Sequence, residues 1–122
     1  MITTSRDGLT WVTRTAGTKV HLLGIAYGSG QYVAVGEKGT VVRSRDGVTW
    51  TPVDTGGKWD TLTGVAYGDG QFVAVESEGT ALVSNDGVHW QAMAAAHGLT
   101  GVAYSDGRFV AVGVRLTIQT GE

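Results

Sequence analysis

At 122 residues the chain has the length of one ordinary domain, and 42% hydrophobic against 16% charged residues is the balance of a sequence that folds. Nine basic and eleven acidic side chains leave a formal net charge of −2, which excludes the basic footprint of a nucleic-acid or anionic-membrane binder. With no cysteine, disulfides and thiolate metal sites are excluded too, and the redox compartment stays open.

Twenty glycines and a single proline, without low complexity, fit many short strands joined by tight turns. The opening residues, Met1-Ile2-Thr3-Thr4-Ser5, have neither the basic start nor the apolar run of a signal peptide, and no apolar run is long enough to span a bilayer. The chain as given reads as soluble, its location unknown. Ile2 to Ser5 is expected to be a strand, followed by the motif Ser5-Arg6-Asp7-Gly8-Leu9-Thr10-Trp11 and another strand over Leu9 to Val12. The motif returns as Ser44-Arg45-Asp46-Gly47-Val48-Thr49-Trp50 and as Ser84-Asn85-Asp86-Gly87-Val88-His89-Trp90, with its tryptophans 39 and then 40 residues apart. A period of that size belongs to stacked supersecondary units.

Between the motifs one unit recurs. Leu22 to Tyr27, Leu62 to Tyr67 and Leu99 to Tyr104 predict a first strand. A turn follows at Gly28-Ser29-Gly30, Gly68-Asp69-Gly70 or Ser105-Asp106-Gly107, then a second strand at Gln31 to Val35, Gln71 to Val75 or Arg108 to Val112. Gly-x-Gly here precedes a strand and lacks the rest of a phosphate loop, so it reads as a hairpin turn. Turns at Gly36 to Gly39 and Glu76 to Gly79 lead to third strands at Thr40 to Arg43 and Thr80 to Val83. The Asp-Gly turn of the motif then leads into a fourth strand ending near the tryptophan. Gln91 to Ala96 is too short for a stable helix and reads as a strand end running into a loop.

Phe72-Val73-Ala74-Val75 is apolar in succession rather than alternation, so both faces of that strand are expected to be buried. Gly64, Ala66, Gly101 and Ala103 make the first strand small enough for a crowded inner position. Four-stranded antiparallel sheets of about forty residues, buried on both sides, describe the blades of a β-propeller. The sequence divides into three units, residues 5–43, 44–83 and 84–120, within a single all-β domain.

Ser-x-Asp-Gly-x-Thr-Trp resembles the Asp-box of BNR/sialidase-type β-propellers, and the Gly-Val-Ala-Tyr-Gly-Asp-Gly-Gln-Phe-Val-Ala-Val frame is similar to the YCF48-like branch. The resemblance covers nearly the whole chain. It implies that the box lies between the third and fourth strands, away from the usual ligand face. Ser5, Asp7, Gly8, Trp11, Ser44, Asp46, Gly47, Trp50, Ser84, Asp86, Gly87 and Trp90 are then structural. The carboxylates accept N–H groups within the turn and the indoles pack against the hairpin.

Leu116 to Thr120 falls on a third-strand position that Ile2 to Ser5 also fills, so the three blades are permuted with a redundant strand. Three blades would leave two broad apolar faces in water, because propellers close with about four to eight. The expectation is a homo-oligomer completed between chains, a six-bladed dimer ahead of a nine-bladed trimer. The alternative is an excised or engineered fragment of a larger propeller.

The candidate ligand face comprises the loops Thr15 to His21, Asp54 to Thr61 and Ala94 to Gly98, and the turns at Glu37-Lys38, Glu76 to Glu78 and Val114-Arg115. His21, Lys58, Trp59, Asp60 and His97 are its candidate residues. Trp59 either stacks on a sugar or peptide or, the preferred reading, covers a seam between blades. His21 and His97 are read as loop residues rather than metal ligands, and His89 as a strand-surface residue. A sialidase needs an arginine cluster, a Tyr–Glu pair and an acid. Here Arg6, Arg43 and Arg45 sit by the box, Tyr27, Tyr67 and Tyr104 recur as packing residues, and Glu76 with Glu78, which on a strand would share a face, occur once per chain. No enzyme, metal or cofactor is expected. The chain reads as a scaffold or binding module, partnered with itself and with a protein or glycan ligand.

Overall fold

The computed structural model describes residues 2–6, 8–9, 12–14, 20–113 and 118–121. In chain order the strands are β1 (Ile2–Thr4), β2 (Val12–Arg14), β3 (Leu22–Gly28), β4 (Gln31–Gly36), β5 (Val41–Ser44), β6 (Thr51–Pro52) and β7 (Leu62–Gly68). They continue as β8 (Gln71–Glu76), β9 (Thr80–Ser84), β10 (Gln91–Ala94), β11 (Leu99–Ser105), β12 (Arg108–Gly113) and β13 (Ile118–Gly121). All pairing is antiparallel, in sheets β1-β2, β3-β4-β5-β6, β7-β8-β9-β10 and β11-β12-β13. One 3-10 turn, Glu37–Gly39, joins β4 to β5. Among the described residues no helix is long and apolar enough to cross a membrane.

The first hairpin of each meander has a two-residue turn, with Gly28 paired to Gln31, Gly68 to Gln71 and Ser105 to Arg108. Both turn residues are left-handed: Ser29 and Gly30 at φ 52° and 77°, Asp69 and Gly70 at 50° and 75°, Asp106 and Gly107 at 51° and 81°. Two successive positive φ values give the turn whose twist matches that of paired strands.

The fourth strands differ from expectation. They do not run up to the tryptophans but start after them, at Thr51 and Gln91; of the expected strand Leu9 to Val12, Val12 is in β2, while Thr10 and Trp11 lie outside the described residues. The cause is the turn itself: Asp46 and Asp86 draw in the backbone N–H groups that a strand would have offered to its neighbour. Of the expected third strand Leu116 to Thr120, Ile118 to Thr120 fall in β13, which runs on to Gly121, and Leu116 and Thr117 lie outside the described residues.

Sheets stack face to face about their first strands. A Cβ placed on Gly24 would lie 2.9 Å from the Cα of Gly64, and one on Gly64 would lie 3.1 Å from the Cα of Gly101. β3, β7 and β11 therefore touch backbone to backbone, a closeness that glycine alone permits. A Cβ on Gly28 would fall inside the ring of Tyr67, and one on Gly68 inside that of Tyr104. Each tyrosine lies over a glycine of the preceding sheet.

Side chains fill the wedges between sheets. Val33, Val35 and Val41 meet Leu62, Val65, Phe72, Ala74 and Leu82 in the largest seam. Val75 meets Leu99 and Ala111 in the next, while Ile2 packs with Ala34, Val42 and Trp50 on the other side of the first four-stranded sheet. Alternate residues of β8 thus enter opposite seams, which accounts for its unbroken apolar run. Full burial of each such Val, Leu or Phe contributes about 1.5–3 kcal/mol.

Candidate functional site

The repeated motif builds one end of the stack. Ser44 Oγ accepts the N–H of Gly47 at 2.8 Å and donates to Asp46 Oδ1 at 3.0 Å. Asp46 Oδ1 then accepts the N–H groups of Val48 and Thr49 at 2.8 and 3.0 Å. Gly47 supplies the left-handed φ of 78°, and Trp50 donates its indole N–H to the Gly47 carbonyl at 3.0 Å. Ser84, Asp86, Gly87 and Trp90 repeat this arrangement, with Gly87 at φ 79°. In the first copy Ser5 Oγ accepts the Gly8 N–H at 2.8 Å, and Asp7 and Trp11 lie outside the described residues.

Hydrogen bonds hold both described carboxylates below the ordinary aspartate range. For Asp46 the N–H of Thr49 acts most strongly, followed by that of Val48 and by Ser44 Oγ. Asp86 is lowered further, first by the His89 ring, whose Nδ1 lies 2.8 Å from Asp86 Oδ2, and then by the His89 and Val88 N–H groups. His89 is therefore a turn residue bonded to the carboxylate, not the strand-surface residue expected. Each indole also enters a seam: Trp50 lies 6.3 Å from Tyr32 and Trp90 6.5 Å from Phe72, ring centre to ring centre.

A contact without a sequence motif ties this end together. Gln31 Nε2 donates to the carbonyl of Asp86, 55 residues away, at 2.6 Å, and Gln31 Oε1 accepts from Arg43 Nε at 3.0 Å. Gly87 lies so close to the Gln31 amide that a Cβ there would be 2.8 Å from Nε2. The Ser84–Trp90 turn is thereby hooked onto the preceding sheet. An open groove of about 260 Å³ runs along Arg43, Ser44, Arg45, Asp46, Thr49 and Thr51.

The opposite end carries the candidate ligand residues. His21 is exposed; its N–H donates to Glu37 Oε1 at 3.1 Å, and its Nδ1 lies 3.6 Å from the same oxygen. Lys58 and Asp60 are exposed, and the Asp60 N–H donates to Glu76 Oε2 at 2.5 Å. Glu76 is buried at the end of β8 and Glu78 is exposed in the following turn. Trp59 is half-buried against the largest seam and donates its indole N–H to Thr55 Oγ1 at 2.9 Å.

Trp59 and His97 occupy one seat. A Cβ on Gly39 would lie 2.8 Å from Trp59 Cβ, and a Cβ on Gly79 would lie 3.0 Å from His97 Nε2. In each case the glycine belongs to the turn between second and third strands in the sheet before; Trp59 meets it with Cβ and its carbonyl, its indole lying over Gly57, whereas His97 meets it with the imidazole. Val114 and Arg115 lie outside the described residues. Among the described residues no three His, Asp or Glu side chains are placed to hold a metal ion. Tyr27, Tyr67 and Tyr104 each sit 4.7 Å from the aromatic ring across their hairpin, Tyr32, Phe72 and Phe109 respectively.

Antiparallel four-stranded meanders stacked about touching first strands define the segment as part of a β-propeller. More specifically, the chain belongs to the DUF6242 β-propeller domain family, whose model matches residues 25–99. Among solved structures, one described as YCF48 bound to D1 peptide is similar with a TM-score of 0.75 at 18% identity, over 86% of this chain and 38% of that one. The chain therefore spans well under half the length of that relative. A computationally designed protein, Ika4, has a TM-score of 0.45 at 15% identity, over 85% of this chain and 92% of that one. No curated protein matches the chain.

Proposed function

We propose that the chain is a non-enzymatic β-propeller scaffold and binding module of the Asp-box type that closes into a ring with copies of itself, two chains in preference to three. The observation that carries this reading is a pair of unfilled blade faces. On β3, Leu23, Ile25 and Tyr27 are 50, 55 and 58% exposed, whereas their β7 counterparts Val65 and Tyr67 pack into the seam with the sheet before. At the other end Val112 is 47% exposed, while its counterparts Val35 and Val75 are buried at 0 and 2%. An apolar face shaped as one half of a blade seam is best filled by another blade of the same kind.

A scaffold role accords with how the polar groups are used. The Asp-box carboxylates are committed to their own turns, and Arg43 is committed to Gln31. The peptide in the YCF48 structure supports a protein as the ligand class. Light scattering on the purified 122-residue chain tests the reading: a mass of two or three chains is expected, and a mass of one chain at all concentrations overturns it. Turnover of a fluorogenic sialoside would overturn the non-enzymatic part.

A further inference from the structure

In the complete meanders the third strand is a pairing strand, and in the first of them it has a second duty. It pairs with the second strand of its own sheet, Val41 opposite Val35 and Ala81 opposite Val75. In the first it also stacks on the next sheet, where Val41 joins Val33, Leu62 and Phe72 in the largest seam. At the remaining position these duties are split between two segments. β13 pairs with β12, Ile118 opposite Val112, in the same register as the other third strands. β1 instead stacks on the next sheet: Ile2, the repeat counterpart of Val41, is 8% exposed among Ala34, Val42 and Trp50.

We infer that β12 is a docking edge for β1 of a second copy, and that β13 is a placeholder which self-assembly displaces. The inference rests on the ring reading above, because bringing a second copy's blade face against Val112 carries its β1 into the place β13 holds. The incoming strand brings more than its hydrogen bonds. β1 arrives paired with β2 through Ile2–Arg14, Thr3–Thr13 and Thr4–Val12, so the acceptor sheet gains a fourth strand. Among the described residues no strand pairs with the outer edge of β13. β1 also runs into Ser5, whose Oγ closes the turn to Gly8, where β13 has Gly121. Exchanging one strand for another of the same register conserves the backbone bonds, as in domain swapping, and the gain is the added strand and seam.

The chain has no cysteine, so paired cysteines report without interference. Residues directly opposite in antiparallel strands lie within disulfide reach. Val112→Cys with Ile118→Cys locks β13 in its seat when oxidised. The oxidised variant is expected to stay at the mass of one chain, and reduction of the same sample is expected to restore the wild-type mass. Val112→Cys with Ile2→Cys is expected to give covalent species of two or three chains on a non-reducing gel. Full assembly of the oxidised lock, with only single chains from the second pair, overturns strand exchange and leaves the ring reading standing. If the wild-type chain never exceeds one chain in mass, the ring reading fails and strand exchange falls with it.

Discussion

Gln31 reaches across a seam to the Asp86 carbonyl, so the turn that closes one sheet is fastened to the start of the second strand in the sheet before it. The same amide steadies Arg43 on the third strand of its own sheet, so Gln31 joins two neighbouring strands to a turn 55 residues away. The Ser84–Trp90 turn therefore does two things. It stitches its own strands, and it sets the distance to its neighbour.

Replacing Gln31 with Ala removes a donor and an acceptor together and strands a partly buried carbonyl. The expected loss is about 1–3 kcal/mol, read from the urea midpoint at unchanged slope. A loss near zero would show that the hook is ornamental.

Trp50 is buried among Ile2, Ala34, Val42 and Tyr32, and its N–H is satisfied by Gly47. Trp50→Ala should cost about 3–5 kcal/mol through lost contact and a residual cavity. Thermal unfolding checks this, and a loss below about 1 kcal/mol would remove the indole from the core.

The lowered pKa values of Asp46 and Asp86 give stability a definite dependence on acid. A carboxyl whose folded pKa lies below its unfolded value of 3.8 contributes its full share above that value. The share is lost as pH falls from there through the folded pKa. Stability measured between pH 5 and pH 2 should therefore drop, and Asp46→Asn with Asp86→Asn should flatten the acid limb. His89→Thr, which installs the residue found at Thr49, removes the largest influence on Asp86 and should move its protonation to higher pH. An unchanged acid limb in these variants would assign the acid sensitivity elsewhere.

Ser105 stands where the other two repeats have Gly28 and Gly68, the glycines that lie under a neighbour's tyrosine. In a ring, Tyr27 of the adjoining chain meets Ser105, and the serine Cβ crowds its ring. Ser105→Gly should relieve overpacking of about 1–3 kcal/mol and tighten association by roughly five- to 150-fold. Sedimentation over a dilution series reads the effect. Weaker association would place Tyr27 differently in the assembly.

Hairpins were legible because each is bounded by Gly28-Ser29-Gly30 or its counterparts, residues that accept two left-handed φ values in a row. The start of the fourth strand was not legible. Whether Val48 and Thr49 extend or curl depends on where the Asp46 carboxylate points, and composition does not encode that. The sequence places Gln31 only as the first residue of a second strand, although Gln71 repeats it at the same place and could have drawn attention to it. The shared seat of Trp59 and His97 was hidden by unequal loops, which put them 38 residues apart while the glycines they cover are 40 apart. The contacting atoms also differ in kind, Cβ and carbonyl of Trp59 on Gly39 against the imidazole of His97 on Gly79.

The glycine contacts between β3, β7 and β11 act as a fulcrum. Backbone against backbone cannot be compressed, so the angle between successive sheets is set by what props them apart further out, Val33, Val35, Phe72 and Leu82. Bulkier props open that angle and fewer sheets complete a turn, whereas a methyl added at Gly64 pushes the hinge line outward and admits more. If copies close into a ring as proposed, its size is written in the ratio of inner to outer side-chain volume along a single seam, and a handful of substitutions there would reset it.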